Sequence, residues 1–256
     1  PAEKDAIEFA KKHRKEFEKV GEQFFMDNFG LKVKATNVVG KDDGVEVYVH
    51  CDDHGIVFNA SLPLYKDAIH QKGSMRSNDN GNDMSMVVGT VFSGFEYRAQ
   101  KEKYDNLYKF FKDNEEKYQY TGFTKEAINK TQNSGYENEY FYISTIPYNL
   151  TEYRNYFEPL LNKSNSEFSK EMSNVKKQLK DKSKVSVTTT LFSKNKNYTK
   201  KSNSENVIKM AEEIKKEKDL PTDIDFSIQF SDNKINTIKP NYSSKDNSEY
   251  GVFDNE

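Results

Sequence analysis

Residues 31–62 read LKVKATNVVGKDDGVEVYVHCDDHGIVFNASL, and their alternation decides the fold class. Leu31, Val33 and Ala35 share one face of a first strand, and GKDDG (40–44) reads as a turn. Val45, Val47, Val49 and Cys51 then alternate with Glu46, Tyr48 and His50. DDHG (52–55) is a second turn, after which Ile56, Phe58, Ala60 and Leu62 alternate as far as Pro63. Period-two apolar patterning between turn residues predicts a three-stranded meander with one apolar face.

The segment VHCDDHG (49–55) holds the single cysteine, two of the four histidines and two adjacent aspartates. Cys51 continues the apolar series and is expected to point inward, with His50 on the opposite face, so the two cannot readily share an ion. His54, Asp52, Asp53 and Gly55 are ordinary turn residues. If the strand runs on past Cys51, a metal site from His50, Asp52 and His54 is geometrically open, and these are the candidate ligands. A buried cysteine behaves as a small hydrophobe, and a catalytic thiol would need a nearby base. No catalytic residue, metal site or cofactor is assigned.

Ala6, Ala10, His13, Phe17, Val20 and Phe24 step by three and four, predicting one long helix over about residues 3–28, with Gly30 as its stop. His13 lies on that stripe as a boundary histidine with a local partner. Residues 65–83, including SNDNGND, read as a mobile loop; the calcium-loop pattern needs an acid five residues before its glycine, and Arg76 stands there. Met84, Val87, Val88, Val91, Phe92 and Phe95 line a helix weakened by Gly89 and Gly94, which let another backbone approach. Tyr104, Leu107, Tyr108, Phe111 and Tyr118 line the next. Thr124 is expected to cap a helix, and Asn149 with Glu152, and Ser202 with Glu205, have capping-box spacing. Pro159 should kink or end its helix. EYFYISTI (139–146), KVSVTTTLFS (184–193) and DIDFSIQF (223–230) read as strands. No regular βα repeat occurs. The expected class is α+β, a mainly antiparallel sheet with the N-terminal meander packed against several helices. Residues 1–240 are expected as a single domain, dividing near TQNSG (131–135) if it has two lobes, with 241–256 as a flexible acidic tail.

A chain of 256 residues buries about 70–75% of its unfolded surface, so it needs no metal or disulfide to fold. It is hydrophilic, with a mean hydropathy of −0.95, yet carries 18 Phe and 16 Tyr, an aromatic content that disordered chains lack. Of 39 basic residues only Arg14, Arg76, Arg98 and Arg154 are arginine. Lysine lacks the bidentate fork that reads phosphates and guanine edges, and the net charge is −2, so sequence-specific nucleic-acid binding is not expected. There is no GxSxG, P-loop, GxGxxG, HExxH or paired CxxC. Residues 176–218 carry 13 Lys against Asp181, Glu205, Glu212, Glu213 and Glu217, a local net charge of +8 that suits an anionic surface such as lipid headgroups or a wall polymer. No apolar run reaches the 18 or so residues of a membrane span. The sequence opens on Pro1 rather than Met, and a signal segment or tether is expected upstream.

AKKHRKEFEKVGEQFF (10–25), VKATNVVGKDDGVEVYVH (33–50), GFTKEAI (122–128) and EYFYIS (139–144) together resemble a family of uncharacterised lipoproteins of staphylococci and related Gram-positive bacteria, catalogued as a domain of unknown function. The resemblance implies an extracytoplasmic domain held to the cell membrane by a lipid on a cysteine upstream of Pro1. It offers no active site to carry over. Cytoplasmic residence fits the same composition. Three functions follow as expectations: a binding or interaction domain of the cell envelope, whose protein or wall-polymer partner is unknown; an extracytoplasmic hydrolase with a carboxylate or metal-assisted site near residues 50–54 or the 65–83 loop; or a purely structural role within a lipoprotein complex.

Overall fold

A computed structural model describes residues 2–180, 184–195, 200–231 and 248–255. The fold is α+β, as the alternation of apolar residues predicts. Helices α1 (Ala2–Lys12) and α2 (Arg14–Phe29) open the chain. The expected single helix is broken at His13, whose φ of −107° and ψ of 16° leave the helical region. Its ring Nδ1 lies 2.9 Å from Glu16 Oε1 and packs on Phe9, the local partnership expected of it. Gly30 ends α2 in the left-handed conformation.

The meander follows as β1 (Val33–Lys41), β2 (Gly44–Asp53) and β3 (Ile56–Tyr65), all antiparallel. Its inner face carries Val45, Val47, Val49, Cys51, Ile56, Phe58 and Ala60, all essentially excluded from solvent. Phe17, Phe24, Phe25 and Phe29 of α2 pack in the same core. Helix α3 (Asn82–Ala99) lies against β3, and Gly94 is what lets it do so: a Cβ there would stand 2.7 Å from Ile56 Cγ2 and 3.0 Å from Val57 O. Gly89, which shares the same expectation, faces open space.

Next come α4 (Lys101–Asp113), α5 (Glu115–Tyr118), β4 (Tyr120–Thr121), α6 (Lys125–Thr131) and β5 (Phe141–Thr145). Thr124 caps α6 by accepting from Ala127 N at 3.1 Å. The short α7 (Leu150–Glu152) begins with both halves of the Asn149/Glu152 capping box. It runs into a wide π turn over Tyr153–Phe157 and a 3₁₀ turn over Glu158–Leu160, and Pro159 sits where the helical ladder fails. Helix α8 (Asn165–Gln178) leads to β6 (Val185–Ser193), α9 (Lys200–Lys216), β7 (Ile224–Ser231) and β8 (Ser248–Asn255). Ser202 lies inside α9 rather than at its cap.

The second sheet runs β4–β6–β7–β8, with β5 continuing the line of β4 along the same edge of β6. Among the described strands only β6 and β7 are parallel, with α9 between them in the chain. Strand β8 pairs with β7 in the antiparallel sense, so a strand occupies part of the segment read as an acidic tail, while residues 241–247 lie outside the described residues.

Two apolar cores form, and they are not consecutive in the chain. Buried residues from Ala10 to Phe95 build the first, Tyr97 to Ile143 the second, Tyr148 to Val175 return to the first, and Val185 to Phe230 return to the second. Residues 131–135 rest against the meander. Gly135 N and O exchange hydrogen bonds with Asn59 O and N at 2.9 and 2.7 Å, and Asn133 Nδ2 donates to Ser61 Oγ at 2.8 Å.

Candidate functional site

Strand β2 runs to Asp53, so the second turn shrinks to His54 and Gly55, both at positive φ (54° and 71°), as a two-residue hairpin requires. Cys51 pairs across the sheet with Val33 and Phe58 and faces the first core, while His50 pairs with Lys34 and Asn59 on the other face. Burial pushes the Cys51 thiol up to about 12, so it stays protonated. Its Sγ lies 3.6 Å from Lys32 O. His50 Nδ1 sits 2.9 Å from Asn59 Oδ1; His54 Nδ1 sits 3.1 Å from Asp53 Oδ2, which also accepts from Lys32 N at 2.9 Å. Asp52 is exposed. The structure therefore gives His50 and His54 separate local partners rather than a common centre. Among the described residues no group of three His, Cys, Asp or Glu side chains is placed to hold a metal ion.

The outer face of the meander is polar and covered. Glu46, Asn59 and Ser61 are buried there beneath α6 and the segment that follows it. Ser61 Oγ donates to Glu46 Oε1 at 2.6 Å, and Lys41 Nζ meets Glu46 Oε2 at 2.5 Å. A bulge at Thr36 lets Thr36 Oγ1 and Asn37 Nδ2 donate to the carbonyls of Asn129 and Lys130 at the end of α6. These side chains satisfy one another at an internal joint, which is what buried polar groups must do.

Of residues 65–83, expected to be a mobile loop, Lys66–His70 form a 3₁₀ turn and 71–81 are pinned. Asn28, fully buried near the end of α2, donates to Met75 O at 3.2 Å and accepts from Ser77 N at 2.9 Å. Asp27 accepts from Met75 N, Arg154 reaches Asn78 and Asn28, and Asn80 bonds Thr151 of α7. The sequence signal for this anchor was an asparagine among the phenylalanines of a helix end, and periodicity alone gives it no role.

Pinning the loop forms one wall of a cleft of about 360 Å³, small within the roughly 300–1,000 Å³ of ligand clefts. Phe24, Val45, Leu62, Met84 and Val87 form an apolar floor, closed by Pro63 and Leu64 of β3. Asp43 comes from the β1–β2 turn, Asp79 from the loop and Asp83 from the first turn of α3. All three are exposed, and among the described residues none makes an ion pair. Lys41, the cleft's one ammonium, is engaged by Glu46. Tyr65 stands at the mouth, 70% exposed. The lining has no serine, cysteine or histidine.

A second polar centre is buried between the cores. Glu96 of α3 is 1% exposed and accepts from Tyr104 Oη at 2.5 Å and Gln100 Nε2 at 2.9 Å, with Lys176 of α8 paired to its other oxygen. Gln100 in turn accepts from Thr222 N and donates to Thr222 O. Burial and the adjoining carboxylate push the Tyr104 phenol far up, so it remains a donor. Its signal in the sequence was a lone charge between Phe95 and Tyr97.

The Lys-rich 176–218 segment spreads over α8, β6 and α9. Lys176, Lys184 and Lys194 are spent on Glu96, Asp225 and Glu116, while Lys182 and Lys196 lie outside the described residues. No described helix is long and apolar enough to cross a membrane.

The model of a family described as a protein of unknown function, DUF1672, matches residues 1–256, and the chain belongs to that family. It is similar over its whole length to a crystal structure of a DUF1672 family protein from Staphylococcus aureus, with a TM-score of 0.94, 58% identity, and cover of 100% of this chain and 93% of that one. No curated protein matches it.

Proposed function

We propose that this member of the DUF1672 family is the extracytoplasmic binding domain of a cell-envelope lipoprotein, held to the cell membrane by a lipid upstream of Pro1 and presenting the meander–α3 cleft to a ligand. One observation carries the binding role: the cleft joins an apolar floor to three carboxylates that have no ion-pair partner among the described residues. The lipoprotein assignment draws its support from the resemblance of the quoted segments. Two acyl chains suffice for stable anchoring where one binds only marginally, with no need of a spanning helix. The Lys-rich 176–218 segment would face the anionic surface, with about 1 kcal/mol for each lysine that reaches it at low salt.

The test is to express the gene's full-length product in a Gram-positive host supplied with an alkyne-bearing palmitate. Labelled protein that partitions with membranes, and loses both label and partition when the upstream cysteine is replaced, is the expected result. An unlabelled, freely soluble product would overturn the assignment.

A further inference from the structure

Given that the cleft is a binding site, we propose that its ligand is a short cationic peptide segment, a basic side chain flanked by apolar ones. Charge and shape both point there. Asp43, Asp79 and Asp83 reach the rim from three different elements and find no cation among the described residues, while the only ammonium in the lining is already neutralised by Glu46. The rim therefore carries an uncompensated negative charge over an apolar floor. An anion is repelled by that rim, and a purely apolar ligand makes no use of its charge. A bare small amine would leave the floor of Leu62 and Met84 uncovered. A lysine or arginine side chain satisfies both parts, since its methylene stem lies on apolar surface while its charged end stays among acids. Tyr65, with an exposed ring at the mouth, offers a face to the same cation. The volume of about 360 Å³ admits one or two side chains rather than a folded surface.

The probe is an acetylated, amidated pentapeptide Leu-Lys-Leu-Lys-Leu, titrated calorimetrically into the whole domain beside its Leu-Glu-Leu-Glu-Leu counterpart and lysine amide. The lysine peptide should bind at about 0.02 M salt and weaken markedly at about 0.5 M, where screening shortens to a few ångströms. The variant D43N/D79N/D83N keeps the shape of each side chain, and the amide oxygen introduced by D79N can still accept from Gly81 N as Asp79 does at 2.8 Å. At roughly two- to five-fold per exposed carboxylate, the triple change should weaken the peptide about ten- to a hundred-fold with an unchanged melting temperature. Equal binding of the glutamate peptide, insensitivity to the triple change, or no binding at low salt would overturn the proposal. So would lysine amide binding as tightly as the peptide. Loss of peptide binding with palmitate labelling intact would remove the ligand class and leave the anchoring proposal standing.

Discussion

Replacing Glu96 tests how the two cores are joined. Its carboxylate is 1% exposed and satisfies a fully buried phenol, an amide and the ammonium of Lys176 from a third helix. Glu96→Ala strands the phenol and the amide, while Lys176 can turn to water. Removing one member of a buried charge pair costs about 3–5 kcal/mol, because the remaining groups stay desolvated without a partner. For a chain of this size each kcal/mol moves the melting temperature by about 2–4 °C, so a fall of about 6–20 °C is expected. Lys176 keeps 25% of its side chain exposed, so the carboxylate is the buried charge of the pair, and Lys176→Met, which leaves it buried without its counter-ion, should also cost about 3–5 kcal/mol. Urea unfolding followed by circular dichroism, at unchanged slope, reads both values. A loss below about 1 kcal/mol in either variant would refute the idea that this carboxylate locks α3, α4 and α8 together.

The two glycines of α3 should respond in opposite directions. Gly94→Ala forces a methyl against Ile56 and Val57 O and should destabilise by about 1–3 kcal/mol, whereas Gly89→Ala meets nothing within 4 Å and should stabilise by about 0.5–1 kcal/mol. Glu137, raised to about 7 by burial, binds its proton more tightly in the folded chain than in the unfolded one. Stability should therefore fall as pH rises from about 4.5 to 7, by about 1–2 kcal/mol after allowing for its partly exposed surface, and Glu137→Gln should flatten that slope in urea melts across the window. Cys51 should resist a thiol reagent in the native protein and react once unfolded, and rapid native labelling would contradict its burial. Purified protein should carry no stoichiometric zinc or manganese by elemental analysis; metal that is lost on replacing His50 and His54 would restore the hydrolase alternative.

Much of the local structure is legible in the residues themselves. The meander follows from Val45, Val47, Val49 and Cys51 alternating with polar neighbours, since a strand sends successive side chains to opposite faces. The caps at Thr124 and Asn149, and the failing helix at Pro159, follow from short-range hydrogen bonding and a missing N–H. Local pattern misplaces what depends on a distant partner. His13 breaks an otherwise periodic helix, and residues 71–81 are held by Asn28 and Arg154.

The sequence by itself determined which residues go inside, the α+β class and the separation of Cys51 from His50, because burial and strand alternation are properties of neighbours along one chain. Only the tertiary structure decided that two interleaved cores share Glu96, and that Asp43, Asp79 and Asp83 meet over one apolar floor. Glu96 and its partner Lys176 stand 80 residues apart, and the energy of such groups depends on distance and desolvation, quantities that exist only once the chain has closed on itself.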